Sequence, residues 1–323
     1  MDFFKHNKVY DFVKMSSYGI VLSLILFLGS LVLFVKPGFS LGVDFAGGTI
    51  VQVQYKEAAP LAAIRKALEA IPAYNGVQVS EFGSPEEILI KLPTATSSVE
   101  QDIGQEVAEA LKGTGELSIR RVDIVGPKVG DELKEKGILA LVLAMLSIMA
   151  YVSYRYAWQF AIAATLALIH DVVISAAAVI VFKIDLNLEV IAALLTLIGY
   201  SINDTIIVFD RIRETVGMRS NDSLAGVINE ALSATLSRTF LTSLTMFFAV
   251  FTLYAFGGEI IKGFSLPMLV GSIVGSYSSI FVASKLVVLL GFNLKDYHQK
   301  IIDAERKALE KKKMREMYER GRM

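Results

Sequence analysis

Apolar and polar stretches alternate along the chain on the scale of a membrane. Tyr18–Val35 is almost wholly apolar and long enough to cross a hydrocarbon core as a helix. A polar segment, Lys36–Lys136, follows it. Further apolar runs occupy about Gly137–Tyr154, Trp158 to near Phe182, Val190–Phe209, Phe240–Phe256 and Phe264–Leu290. The pattern predicts six membrane helices joined mostly by short loops, among them Arg155–Trp158, Lys183–Leu188 and Gly257–Gly263. It divides the chain into an N-terminal arm (1–14), a first membrane helix (15–36), an inserted polar domain with its linkers (37–136), helices two to six (137–291) and a basic tail (292–323).

The inserted segment has its own periodicities. Thr49–Tyr55 partly alternates, as a strand with one buried face does. Leu61, Ile64, Leu68 and Ile71 recur at helical spacing after Pro60, which suits a first turn. Val77–Phe82 and Ile88–Leu92 read as strands around a Gly83-Ser84-Pro85 turn. Ser98–Leu111 is a second helix with Ile103, Val107 and Leu111 on one face, and Leu117–Val125 is a fourth strand. The order β-α-β-β-α-β predicts a ferredoxin-like α+β domain. It carries no histidine, cysteine or paired carboxylates beside a nucleophile, so it reads as a binding or hinge module. Between helices four and five, Leu224, Val227, Ile228, Ala231 and Leu232 form an apolar stripe. They predict an amphipathic helix over 220–232, lying along the membrane or over the mouth of the bundle.

Composition agrees with a membrane protein: 54% of the 323 residues are hydrophobic, above the roughly 45–50% of soluble domains. The 32 basic and 32 acidic residues balance, so the placement of charge is more informative than its sum. Lys5, Lys8 and Lys14, then Arg155, then Arg211–Arg219, then Lys311-Lys312-Lys313 with Arg315 all fall on one side of a six-helix topology. The positive-inside rule makes that side cytoplasmic, with both termini there and residues 37–136 outside. Topology and contact with lipid headgroups account for these clusters without a nucleic-acid partner. With no cysteine and three scattered histidines, neither a metal site nor a cofactor is expected. No phosphate loop or nucleophile–base pair points to an enzyme.

The fourth apolar run contains Tyr200, Ser201, Asn203, Asp204 and Thr205. At helical spacing Thr196, Tyr200, Asn203 and Ile207 share a face, with Asp204 at its edge; Thr196, Tyr200, Asn203 and Thr205 are the expected polar pathway. A carboxylate at the centre of a span costs about 2.5–3.5 kcal/mol on insertion scales, so Asp204 should face protein or water, and an intramembrane acid is by default a functional candidate. A polar helix–helix contact that specifies packing is the alternative. Asp204 lies six residues before Asp210, about 9 Å deeper at 1.5 Å per residue. Arg238, about one turn into the fifth helix, can approach that depth from an antiparallel neighbour, or it can snorkel to the headgroups. Asp171, with His170, is a secondary charged candidate in the third helix; Lys285 sits near the inner end of the sixth. Burial disfavours a charged carboxylate and a nearby guanidinium favours it, so an acid moved between those surroundings loads and releases a proton. One charge crossing the membrane is worth about 2.3 kcal/mol per 100 mV, enough to bias a two-state bundle.

Four stretches resemble one family. Gly199-Tyr200-Ser201-Ile202-Asn203-Asp204-Thr205-Ile206-Ile207-Val208-Phe209-Asp210-Arg211-Ile212-Arg213-Glu214 is similar to the fourth-span signature of the SecF family, whose members belong to the SecDF protein-export complex. Gly42-Val43-Asp44-Phe45-Ala46-Gly47-Gly48-Thr49 resembles the motif after that family's first span. Val125-Gly126-Pro127-Lys128-Val129-Gly130 resembles the junction before its second, and Thr235-Leu236-Ser237-Arg238-Thr239 the start of its fifth. The resemblance implies a bacterial inner-membrane relative of the resistance-nodulation-division permeases, with half of a permease-like bundle and a periplasmic domain. It implies a pseudo-symmetric partner, SecD, and work beside the SecYEG channel and YajC. There the proton or sodium motive force helps draw preproteins outward after the ATP-driven SecA step. It makes Asp204 the acid of the ion path and Arg238 its basic neighbour, and it assigns Gly42, Asp44, Phe45, Gly47, Gly48 and Thr49 to a periplasmic linker. Glycines there permit a sharp helix-to-strand turn; Asp44 can be a cap or turn residue.

Two other functions fit part of the pattern. One is a structural subunit that stabilises a channel complex and conducts nothing; an isosteric Asp204→Asn change separates it from ion coupling. The other is a small-molecule or lipid exporter of the same superfamily. Those exporters usually carry twice as many spans, and paired outer domains, in one chain.

Overall fold

The computed structural model describes residues 9–93, 100–218, 223–319 and 321. Lys5, Lys8, the start of the helix expected over Ser98–Leu111 and the first residues of the one expected over 220–232 lie outside them.

Helix α1 (Phe12–Val35) opens on Asp11, whose Oδ1 accepts the Lys14 amide at 3.1 Å. A single turn, α2 (Val43–Ala46), leads into the extramembrane domain: β1 (Gly48–Tyr55), α3 (Leu61–Glu69), β2 (Gln78–Phe82), β3 (Ser84–Leu92), α4 (Glu100–Ala110) and β4 (Leu117–Val125). The sheet is antiparallel in the order β2-β3-β1-β4, the split β-α-β arrangement the element order predicts. Alternation sets its register. Val51, Val53 and Tyr55 of β1 turn inward, and Val51 faces Ile90 across the β1–β3 pair. Ile64 and Leu68 of α3 and Ile103 and Val107 of α4 close the core, each contributing about 1.5–3 kcal/mol by leaving water. Strand β3 starts directly after Gly83, so the expected three-residue turn and the stretch before Ile88 are largely strand.

The remaining helices are α5 (Pro127–Arg155), α6 (Trp158–Val181), α7 (Leu188–Met218), α8 (Leu224–Phe256), α9 (Gly258–Ser278), α10 (Ser284–Leu289) and α11 (Leu294–Glu319). A π turn, Ser279–Ala283, joins α9 to α10 within one continuous span. Six helices among the described residues are long and apolar enough to cross a membrane. Helices α6 and α7 and the α9–α10 span form the buried centre, whereas α1, α5 and α8 leave most of their membrane windows uncovered by this chain.

Several boundaries differ from the sequence reading. Helix α5 begins at Pro127, ten residues before the expected Gly137. Proline suits a first turn, and the Asp131–Lys134 and Glu132–Lys136 pairs support the added turns. The stretch from Leu224 is not a separate amphipathic helix but the first turns of α8, because after Gly226 in its first turn no glycine or proline interrupts the chain before Gly257. Its stripe of Val227, Ile228, Ala231 and Leu232 packs into the bundle core. The expected Gly257–Gly263 loop shrinks to the bend at Gly257, and the basic tail is largely helical as α11.

Candidate functional site

Asp204 is 1% exposed on α7. Its Oδ2 accepts a hydrogen bond from Ser243 of α8 at 3.3 Å, and Ser243 in turn accepts one from Ser276 of α9 at 2.6 Å. Its other oxygen, Oδ1, is buried with no hydrogen-bond partner among the described residues. Arg238 lies on α8, exposed on this chain. It acts on Asp204 through space and forms no ion pair with it among the described residues. Tyr200 lies beside Ser243, and its hydroxyl is buried.

Asp171 on α6 is enclosed more completely, at 0% exposure. Ser201 of α7 and Ser278 of α9 both donate to its Oδ2, at 2.6 and 2.7 Å, and His170 Nδ1 lies 2.9 Å from its Oδ1. Small residues allow three helices to meet here. A Cβ on Gly275 would lie 3.1 Å from Ser201 Oγ, and one on Gly271 2.4 Å from a Leu197 methyl. Thr205 meets Ser279 of the π turn at 2.9 Å between hydroxyls. Such single π turns recur at functional sites.

The expected polar pathway divides. Thr205 is buried and Tyr200 half-buried, whereas Thr196 and Asn203 are exposed on this chain, and Thr196 donates to its own Ala192 carbonyl at 2.8 Å. The inward stripe of α7 is Leu197, Ser201, Asp204, Thr205 and Val208. Sequence reasoning missed Ser243, Ser276, Ser278 and Ser279. Their signal was available: serines recur at 272, 276 and 279 in an otherwise apolar span. Lys285 does not join this cluster; its Nζ donates to the Val13 carbonyl at 3.3 Å.

The two ends of α7 are fastened. At the end facing the extramembrane domain, Asp44 Oδ2 accepts the Leu188 amide at 3.0 Å and Asn187 Oδ1 accepts the Val190 amide at 3.0 Å. The Gly42 amide donates to Leu186 O at 2.8 Å and the Leu186 amide to Ser40 O at 2.7 Å. Ser40 and Gln78 both donate to Asp185. Gly47 has φ +78°, and a Cβ there would lie 3.1 Å from the Pro127 nitrogen; on Gly48, at φ +152°, it would lie 2.4 Å from Leu92 O. Only glycine fits where the two strand ends and α5 converge. Phe45 and Thr49 of the same linker are buried. At the other end Arg155 Nη2 meets Asp210 Oδ2 at 3.0 Å, and Tyr156 Oη donates to Asp210 Oδ1 at 2.6 Å. Burial, then the bond to Asp210, pushes the Tyr156 phenol up to about 12.

Among the described residues, six helices long and apolar enough to cross a membrane, a split β-α-β domain inserted after the first, and a buried seam of carboxylates and hydroxyls define a multi-pass integral membrane protein. Residues 106–293 match the family model "Protein export membrane protein SecD/SecF, C-terminal", and residues 32–59 match the "SecD/SecF GG Motif". The protein translocase subunit SecF of Helicobacter pylori is 55% identical over 323 residues, covering 100% of both chains. A protein translocase subunit SecDF from Brucella abortus is 42% identical over 80% of this chain and 34% of its own length. The crystal structure of SecDF from Thermus thermophilus, a translocon-associated membrane protein, superposes with a TM-score of 0.77 at 31% identity. It covers 89% of this chain and 39% of the SecDF chain. The chain belongs to the SecF family of protein translocase subunits.

Proposed function

We propose that this chain, paired with a SecD subunit, couples an ion gradient across the bacterial inner membrane to the outward movement of preproteins after the ATP-driven SecA step. The observation that carries the reading is Asp204: a membrane carboxylate, 1% exposed, with one oxygen lacking a hydrogen-bond partner among the described residues and a guanidinium within electrostatic reach. A buried acid left half-satisfied is costly for packing alone and suits a group that changes partners. Arg238 is its counter-charge, and Asp171 is a second, better-satisfied acid on the same seam. SecD supplies the other half of the bundle, in keeping with relatives that carry both names in one chain. Exposed Asn203, Thr196 and Arg238 are then the polar side chains this half leaves for its partner to cover. The basic ends face the cytoplasm and the extramembrane domain the periplasm. A cleft of about 540 Å³ between that domain and the bundle, lined by Arg65, Gln78, Asp185 and Glu189, gives the domain room to tilt. SecYEG and YajC are neighbours in this arrangement, and membrane lipid covers the remaining apolar faces.

Inverted vesicles depleted of this chain test the reading. Late, gradient-dependent preprotein movement should slow and recover when the chain is returned with SecD. Unchanged movement would leave a structural role.

A further inference from the structure

Beyond Asp204, we infer that Asp171 is a second exchangeable site and that its ligand is a proton, held by a hydroxyl switch at Ser278. This deepens the ion-coupling reading and rests on it for its role in transport; the site itself stands on its own geometry.

In the ionised state Asp171 accepts three donors: Ser201 and Ser278 on Oδ2, at 2.6 and 2.7 Å, and the His170 Nδ1–H on Oδ1, at 2.9 Å. Ser278 has one hydroxyl hydrogen and two acceptors in reach, since the Gly275 carbonyl lies 3.0 Å away. When hydronium from the aqueous phase gives Asp171 a proton, an O–H bond forms on Oδ2 and water is released. That new O–H donates to Ser278 Oγ, and the Ser278 hydrogen turns to Gly275 O. Ser201 and His170 keep their bonds. Both protonation states are fully hydrogen-bonded with no heavy atom displaced, which a buried site must achieve to exchange a proton cheaply.

The same geometry places the proton on Asp171 and not on His170. His170 is 6% exposed, and its Nε2 is buried without a partner among the described residues, so protonation there would strand an N–H donor. It also disfavours a metal ion. A hard cation needs a shell of several oxygen ligands, charged ones among them, and the described residues hold no group of three or more His, Cys, Asp or Glu side chains that could supply it. The switch extends along the seam. Ser279 also bonds Gly275 O, at 2.9 Å, and has Thr205 Oγ1 as its alternative at 2.9 Å. Arrival of the Ser278 hydrogen at Gly275 therefore favours turning Ser279 toward Thr205, the residue next to Asp204. Few other charges bear on this site. Across the membrane parts of α1, α5, α7 and the α9–α10 span, between Lys14 and Lys36, Lys136 and Arg155, Glu189 and Asp210, and Lys262 and Lys285, the one charged residue is Asp204. The phenols near the centre are Tyr200 and Tyr277, and Tyr277 donates to Gly19 O at 2.6 Å.

Infrared difference spectra of the full chain in lipid vesicles, cycled between acidic and alkaline pH, test this. Among the protonated-carboxyl bands that the chain's 32 acidic residues give on acidification, one should persist in Asp204→Asn, vanish in Asp171→Asn and stay in place when sodium is added at fixed pH. A set of bands wholly unchanged by Asp171→Asn, or displacement of that band by sodium, would overturn the proposal. Should Asp171→Asn not insert stably, Ser278→Ala decides. Loss of the acceptor for the Asp171 O–H should move the band to higher frequency, and an unmoved band rejects the switch. Because the readout is spectroscopic, loss of export coupling in Asp204→Asn would neither produce nor abolish it.

Discussion

Asp44 accepts a hydrogen bond from the Leu188 amide at 3.0 Å, so a residue just past α1 caps the helix that carries Asp204. The bond spans 144 positions of sequence and joins the threshold of the extramembrane domain to the first turn of α7. With Tyr156 and Arg155 holding Asp210 towards the far end, α7 is fixed at both ends, and between these points the Tyr200 hydroxyl and Asp204 Oδ1 are buried with no hydrogen-bond partner among the described residues.

Replacing Asp44 by alanine removes the acceptor for the Leu188 amide, while Asn187 still holds the Val190 amide, and should cost about 1 kcal/mol of stability, as lost N-caps do; asparagine keeps the acceptor and should cost a few tenths. Thermal unfolding of the purified protein in detergent checks the order. Export should follow it, with Asp44→Ala well below Asp44→Asn. Equal stability for both variants would remove the cap from the account.

Gly48→Ala should be far more damaging. Its Cβ meets the Leu92 carbonyl at 2.4 Å from a backbone at φ +152°, and neither strand can retreat without breaking the β1–β3 pair. Strain and overpacking together amount to ~3 kcal/mol or more. Gly29→Ala, with nothing within 4 Å of its Cβ, serves as the neutral control. Protease sensitivity of the extramembrane domain should rise in the first variant and stay unchanged in the second.

Tyr156 gives a prediction in pH. Its folded phenol ionises at about 12 against an ordinary 10.0, because burial and the bond to Asp210 favour the neutral form. The stability it supplies is complete below pH 10 and is lost as the pH rises toward about 12. Alkaline titration by absorbance should show several late-ionising phenols, buried Tyr74 among them at about 12, and one fewer in Tyr156→Phe. That variant should also lose the alkaline decline in stability that belongs to this group.

The six spans and the order of the inserted domain were legible because both rest on local periodicity: runs of about 20 apolar residues, and alternation such as Val51, Val53 and Tyr55. Asp204 was legible because a lone acid in an apolar run is conspicuous. The partners of Asp204 and Asp171 were harder to see. Ser243, Ser276 and Ser278 are weakly polar, and which of them reach a carboxylate depends on how α8 and α9 rotate against α6 and α7. The capping role of Asp44 depends on a contact 144 residues away, which no local pattern contains. Thr196 and Asn203 share a helical face with Tyr200, yet the chain leaves both exposed, because a helical wheel does not say which side of the helix the neighbours occupy.

The most direct test of ion coupling is preprotein movement in inverted vesicles after SecA and ATP have begun translocation, with and without an ionophore. It compares the natural chain with Asp204→Asn, each beside SecD. With ion coupling through Asp204, the gradient accelerates the natural protein and leaves Asp204→Asn at the ionophore-treated rate. Equal acceleration of both would make Asp204 a packing residue and contradict the coupling role.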